Sequence, residues 1–110
     1  MKFDLSKWKT PDTFDSALFG SLPRSSGIYL LVHISEAGHS YKHEVMYIGQ
    51  SVNLAERLRN HEIRKMLNKR CGYVHVYFRR CPKDRLRTRE RKLIKELNPP
   101  FNLQHRERGL

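Results

Sequence analysis

Two tripeptides, Gly27-Ile28-Tyr29 and Tyr47-Ile48-Gly49, restrict this chain more than any other feature in it. The first opens a stretch in which Ile28, Leu30, Val32 and Ile34 fall on one face of a strand, and Tyr29, Leu31 and His33 on the other. In the second stretch Met46 and Ile48 share one phase, Val45 and Tyr47 the opposite one. Both tyrosines are thus out of phase with the larger apolar set. Pairing the stretches as a hairpin would place two phenols on one sheet surface while the other packs into the core. Gly27 and Gly49 mark the ends, where a missing Cβ lets the chain turn or lets a ligand approach the backbone. Between the strands, residues 35–43 are polar and Gly-containing, which predicts an extended or flexible loop tip. His39 and His43, beside Glu44, read either as metal ligands or as solvated side chains. In a non-helical loop that spacing does not converge the imidazoles, which favours the solvated role.

The rest of the chain supplies helices and a third strand. Asn53, with Glu56 three residues on, forms a capping-box pattern that starts a helix running to about Asn68. Leu54, Leu58, Met66 and Leu67 are its apolar stripe. Arg57 and His61, four apart, project from one face, and Arg59, Arg64 and Lys65 make the helix basic. Tyr73 to Phe78 alternates as a strand, with Val74, Val76 and Phe78 on one side and Tyr73, His75 and Tyr77 on the other. Pro82 opens a second helix that reaches Leu97 and stops at Asn98-Pro99-Pro100. Glu90 falls inside its apolar stripe of Leu86, Leu93, Ile94 and Leu97. Burying an unpaired carboxylate costs several kcal/mol, so Glu90 calls for a cation: an ion pair with Arg57 or Arg89, or a metal ion. Phe101 to His105 follow as an extended tail. At the other end, Asp12–Phe19 reads as a short helix covering the core with Phe14, Leu18 and Phe19. Trp8 packs nearby, and 22–26 turns into the first strand. The expected class is α+β: a small, three-stranded, mainly antiparallel sheet flanked by helices, in a single domain 1–110 with its core at about 22–105.

Charge narrows the partner. The chain carries +11 over 110 residues, with a pI near 10.1. Residues 1–56 hold five Lys/Arg against six Asp/Glu, and residues 57–110 hold seventeen against five. So uneven a distribution points to a polyanion facing the second half. There is no apolar run of the roughly 20 residues a membrane span needs and no signal-peptide pattern, so a soluble, cytoplasmic protein without a membrane partner is expected. Cys71 and Cys81 bracket the third strand. At about 3.3 Å per residue they stand about 30 Å apart, too far to pair or share a metal, and reduced thiols suit the same compartment. Nothing in charge or spacing separates a monomer from a homo-oligomer.

Tyr29, Tyr47, Arg57, His61, Glu90 and Asn102, in this order, resemble the signature of the GIY-YIG nuclease family. The likeness covers about residues 22–105, and the segment 98–105 is similar to the end of small phage endonucleases within that family. The resemblance implies a metal-dependent DNA endonuclease that hydrolyses phosphodiester bonds with one divalent ion, Mg²⁺ or Mn²⁺, per active site, held by Glu90. Arg57 would neutralise charge on the phosphate oxygens, and Tyr47 would position phosphate or water. Asn102 would orient groups around Glu90 or hold the tail. Either Tyr29 or His61 would be the general base. Some family members carry a Lys just after the second tripeptide, where this chain has Gln50, which leaves that choice open. Gln50, Arg59, Arg64, Arg87, Arg91 and Lys95 are the expected DNA contacts. The alternative is a catalytically inactive, basic nucleic-acid-binding protein on the same fold, for which none of the six signature residues would be needed.

Overall fold

The computed structural model describes residues 4–9, 23–59 and 74–102. Three strands form one open antiparallel sheet: β1 (Gly27–Ala37), β2 (Ser40–Ser51) and β3 (Val74–Arg80), ordered β2-β1-β3. Among the described residues two helices accompany them, α1 (Leu54–Arg59) and α2 (Leu86–Leu97), with 3-10 turns at Leu5–Lys7 and Lys83–Arg85. The expected α+β class is the observed one. The expected helix at Asp12–Phe19, the end of the first long helix, Tyr73 and Cys71 all lie outside the described residues.

β1 is central, and its run of apolar residues is buried on both faces. Tyr29 and Leu31 join Met46, Tyr47, Val74, Val76, the α1 residues Leu54, Ala55 and Leu58, and Phe101 in one cluster. Ile28, Leu30 and Val32 join Ile48, Cys81 and Leu86 in the other, onto which Leu93, Ile94, Leu97, Leu5 and Trp8 pack. The expectation of a phenol surface opposite a one-sided core is therefore corrected. α1 and Phe101 cover the tyrosine face, and α2 covers the reverse.

The alternation read for β2 also fails at one point. Leu31 pairs with Tyr47 but Val32 pairs with Val45, so Met46 is the extra residue of a β-bulge. The bulge resets the phase: Met46 and Tyr47 belong to one cluster while Val45 packs against the other. Nor is there an extended tip. The strands run on to Ala37 and from Ser40, and close through Gly38-His39 alone. Gly38 takes φ 66° while His39 does not turn positive, as in a type II′ hairpin.

Both outer edges of the sheet are covered by short contacts. Lys9 and Phe78 exchange backbone hydrogen bonds of 3.0 and 2.7 Å, which ties the N-terminal segment to β3. On β2 the cover is the side chain of Asn102. Its Oδ1 accepts from Ile48 N at 2.7 Å and its Nδ2 donates to Ile48 O at 2.8 Å, imitating one rung of a fourth strand. Residues 100–102 are helical, so the expected extended tail is corrected at its start, and residues 103–105 lie outside the described residues. Asn98 ends α2 in the left-handed region, its N–H bonded to Ile94 O, and Pro100 then suits a new helical turn because its fixed φ is helical.

Candidate active site

Tyr29 and Tyr47 lie on adjacent strands but are not directly opposite. The register pairs Tyr29 with Gly49, and Tyr47 with Leu31. The phenols meet on the diagonal, with ring centroids 6.3 Å apart and planes tilted by 35°. Gly49 makes this possible, since a Cβ there would land on Cζ and Oη of Tyr29. Gly27 plays a matching part for α1. Its Cβ would stand 2.6 Å from both Arg79 O and Leu54 Cδ1. Neither glycine turns the chain, and neither has positive φ. The expectation of a turn or a ligand approach at these positions gives way to close packing of the protein on itself.

α1 carries Arg57 to the phenols. Its first-turn amides are satisfied from the segment entering β1: Leu54 N donates to Ser25 O at 3.1 Å and Ala55 N to Pro23 O at 3.2 Å. Glu56 N donates to Asn53 Oδ1 at 3.2 Å, the expected N-cap. The return arm of the capping box differs. Asn53 N donates to Ser51 Oγ, and the Glu56 carboxylate meets the Asn53 side-chain amide instead. With α1 pinned to β1 at its start, Arg57 one turn later hydrogen-bonds both phenols.

Glu90 comes from α2, which packs chiefly on β2. It is half-buried between Leu86 and Ile94, less enclosed than its place in the apolar stripe implies. Its charge acts on both phenols. Burial pushes Tyr29 well above the usual tyrosine range; Tyr47 and Glu90 push the same way, and Arg57 opposes them by charge and hydrogen bonding. Tyr47 is raised by burial first. Arg57 pulls it down, Glu90 pushes it up, and hydrogen bonds with Tyr29 and Arg57 favour its ionised form. Tyr29 and Tyr47 are thus buried and protonated at neutral pH, and feel both the exposed Arg57 guanidinium and the half-buried Glu90 carboxylate.

The structure brings together Tyr29, Tyr47 and Arg57, and the charge of Glu90, from α2, reaches the same phenols. Asn102 touches the site only through the Ile48 backbone between Tyr47 and Gly49, so of its two expected roles it fills the second, holding the tail against β2. Gln50 pairs with Ile28, which puts it on the face away from the phenols rather than beside them. Arg87, Arg91 and Lys95 are exposed along one flank of α2. His61 and Arg64 lie outside the described residues, as does the side chain of Arg59. The part missed in the sequence is Gly49 as the seat of the Tyr29 ring. Its signal was present, a glycine two residues from one tyrosine and in register with the other.

Glu90 is the anionic oxygen donor here, the phenols being protonated, and among the described residues no group of three or more His, Cys, Asp or Glu stands together. A lone carboxylate suits a Mg²⁺-like ion that takes the rest of its shell from water and phosphate. Comparison of the chain with protein-family models, with curated proteins and with solved structures finds no match.

Proposed function

We propose that the chain is a metal-dependent DNA endonuclease that hydrolyses phosphodiester bonds at the Tyr29–Tyr47–Arg57–Glu90 site. The observation that carries this reading is the convergence of Arg57 and Glu90, from two helices, on one pair of buried phenols. A structural ion pair has no use for two protonated phenols. A phosphate does, since it accepts hydrogen bonds from phenols and guanidinium while its charge is shared with a cation at the carboxylate.

Glu90 would hold the divalent ion, which supplies charge neutralisation and a more acidic water. Arg57 donates to the non-bridging oxygens, where a planar, permanently charged group matches the phosphate. Tyr29 remains protonated and donates, because burial makes its phenolate costly. Proton acceptance then falls to a group of lower pKa, and His61 is the residue the sequence offers for it. The exposed Arg87, Arg91 and Lys95 extend the cationic surface along the DNA backbone, and affinity falls steeply with salt. The test is supercoiled plasmid incubated with Mg²⁺ or Mn²⁺, with EDTA as control. Metal-dependent conversion to nicked or linear forms is expected. Intact plasmid in every metal, with DNA still bound, would leave the inactive binding protein instead.

A further inference from the structure

On the face of the sheet away from the phenols, a cavity of about 670 Å³ opens between the Leu5–Lys7 turn, the end of β3 and α2. Ile28, Cys81, Leu93 and Trp8 give it an apolar floor. Lys7, Arg79, Arg80, Arg85, Arg89 and Lys92 surround that floor, against two carboxylates, Asp4 and Glu96. Asp4 is engaged locally, since its Oδ1 accepts from Ser6 N at 3.0 Å and Ser6 Oγ at 2.6 Å. The proposed active site does not use this cavity. Ile28 and Tyr29 are consecutive in β1 and project to opposite faces, so the sheet separates the two places. α2 divides its cations in the same way, with Arg89 and Lys92 on the cavity flank, and Arg87, Arg91 and Lys95 on the other.

We propose that this cavity binds a single-stranded segment of nucleic acid, a base lying against the Trp8 indole and the flanking phosphates on Arg79, Arg89 and Lys92. Six cations facing two carboxylates select a polyanion. The apolar floor selects one with a flat hydrophobic part, which a bare phosphate lacks. A cationic rim around an aromatic platform is the general design for sequence-tolerant single-strand binding. The volume lies within the roughly 300–1,000 Å³ of small-ligand pockets, room for one or a few nucleotides. Duplex is a poor occupant, because its bases are stacked inside and cannot reach the floor. The inference is independent of the nuclease reading, since binding is measured with metal chelated.

Trp8 is the single tryptophan of the chain and therefore the reporter. The full-length protein is titrated in EDTA and low salt with a short oligothymidylate while its emission is followed. Saturable quenching is expected. Arg89→Glu should weaken binding about tenfold or more and lower the slope of log K against log salt by about one. Lys83→Glu makes the same charge change at an exposed position outside the cavity and should have a much smaller effect. Lys92→Glu repeats the test at a second exposed site, and circular dichroism checks that each variant is folded. Unchanged Trp8 emission at saturation, equal losses in Arg89→Glu and Lys83→Glu, or duplex that quenches and competes as well as single strand would each overturn the proposal.

Discussion

The ring of Tyr29 lies over Gly49, its cross-strand partner, so closely that no side chain can be accommodated there. The placement of the phenol thus depends on a residue with no chemistry of its own. Gly49→Ala should destabilise the fold by about 1–3 kcal/mol, the usual cost of overpacking, and shift the Tyr29 hydroxyl. Denaturant unfolding and nicking assays, run on the same preparation, measure both effects. An alanine variant as stable and active as the parent would show that the ring does not sit there in solution.

Asn102 gives the second prediction. Its amide bonds both polar groups of Ile48 while 7 % exposed, so Asn102→Ala leaves a buried N–H and C=O unsatisfied. A loss of about 1–3 kcal/mol is expected. Asn102→Asp keeps the acceptor but sets a buried carboxylate oxygen against Ile48 O, and should cost at least as much as Asn102→Ala. Since Asn102 acts through the strand, cleavage by folded Asn102→Ala should fall less than in Arg57→Ala. An equal loss at full stability would give Asn102 a direct part in the chemistry.

Alkaline pH tests the buried phenol. Tyr29 is raised by burial in the fold, whereas in the unfolded chain it ionises near 10. Below that value its protonated form costs folding nothing. Above it the unfolded state loses its proton first, so stability falls as pH rises from about 10 toward the folded value. Tyr29→Phe should flatten this alkaline decline in urea midpoints. It should also leave the neutral limb of any pH–rate profile in place, because Tyr29 is not the group titrating there.

These relationships were legible in the sequence to different degrees, for physical reasons. Alternation in β1, the Asn53 cap and the apolar stripe of α2 are local patterns, and the elements form where those patterns lie. The bulge at Met46 left no trace, because residues 45–48 are apolar in both phases and any register looks satisfied. The hairpin beyond Ile34 read as loop because residues 35–43 are polar and hold a glycine. Its arms face water on both sides and need no hydrophobic alternation. The tyrosine face read as open because a phenol is at home in either setting, and only the cover from α1 and Phe101 decides it. Glu90 was legible as an anomaly, a carboxylate in an apolar stripe. Its neighbours were not, since they come from two strands and another helix.

Arg57→Ala should lower the cleavage rate about 10²-fold or more, the scale for one donor to a developing oxyanion. Arg57→Lys keeps the charge but loses the planar fork, and should recover only part of that rate. Full activity in Arg57→Lys would reduce the role of Arg57 to charge alone.

The proposed site is tested most directly at Glu90. Cleavage of supercoiled plasmid in Mg²⁺ and binding of the same DNA in EDTA are measured for the parent chain and for Glu90→Gln, which has nearly the same shape without the charge. The expected result is loss of cleavage with binding retained. Cleavage undiminished in Glu90→Gln would show that the carboxylate between Leu86 and Ile94 is not the centre of the site.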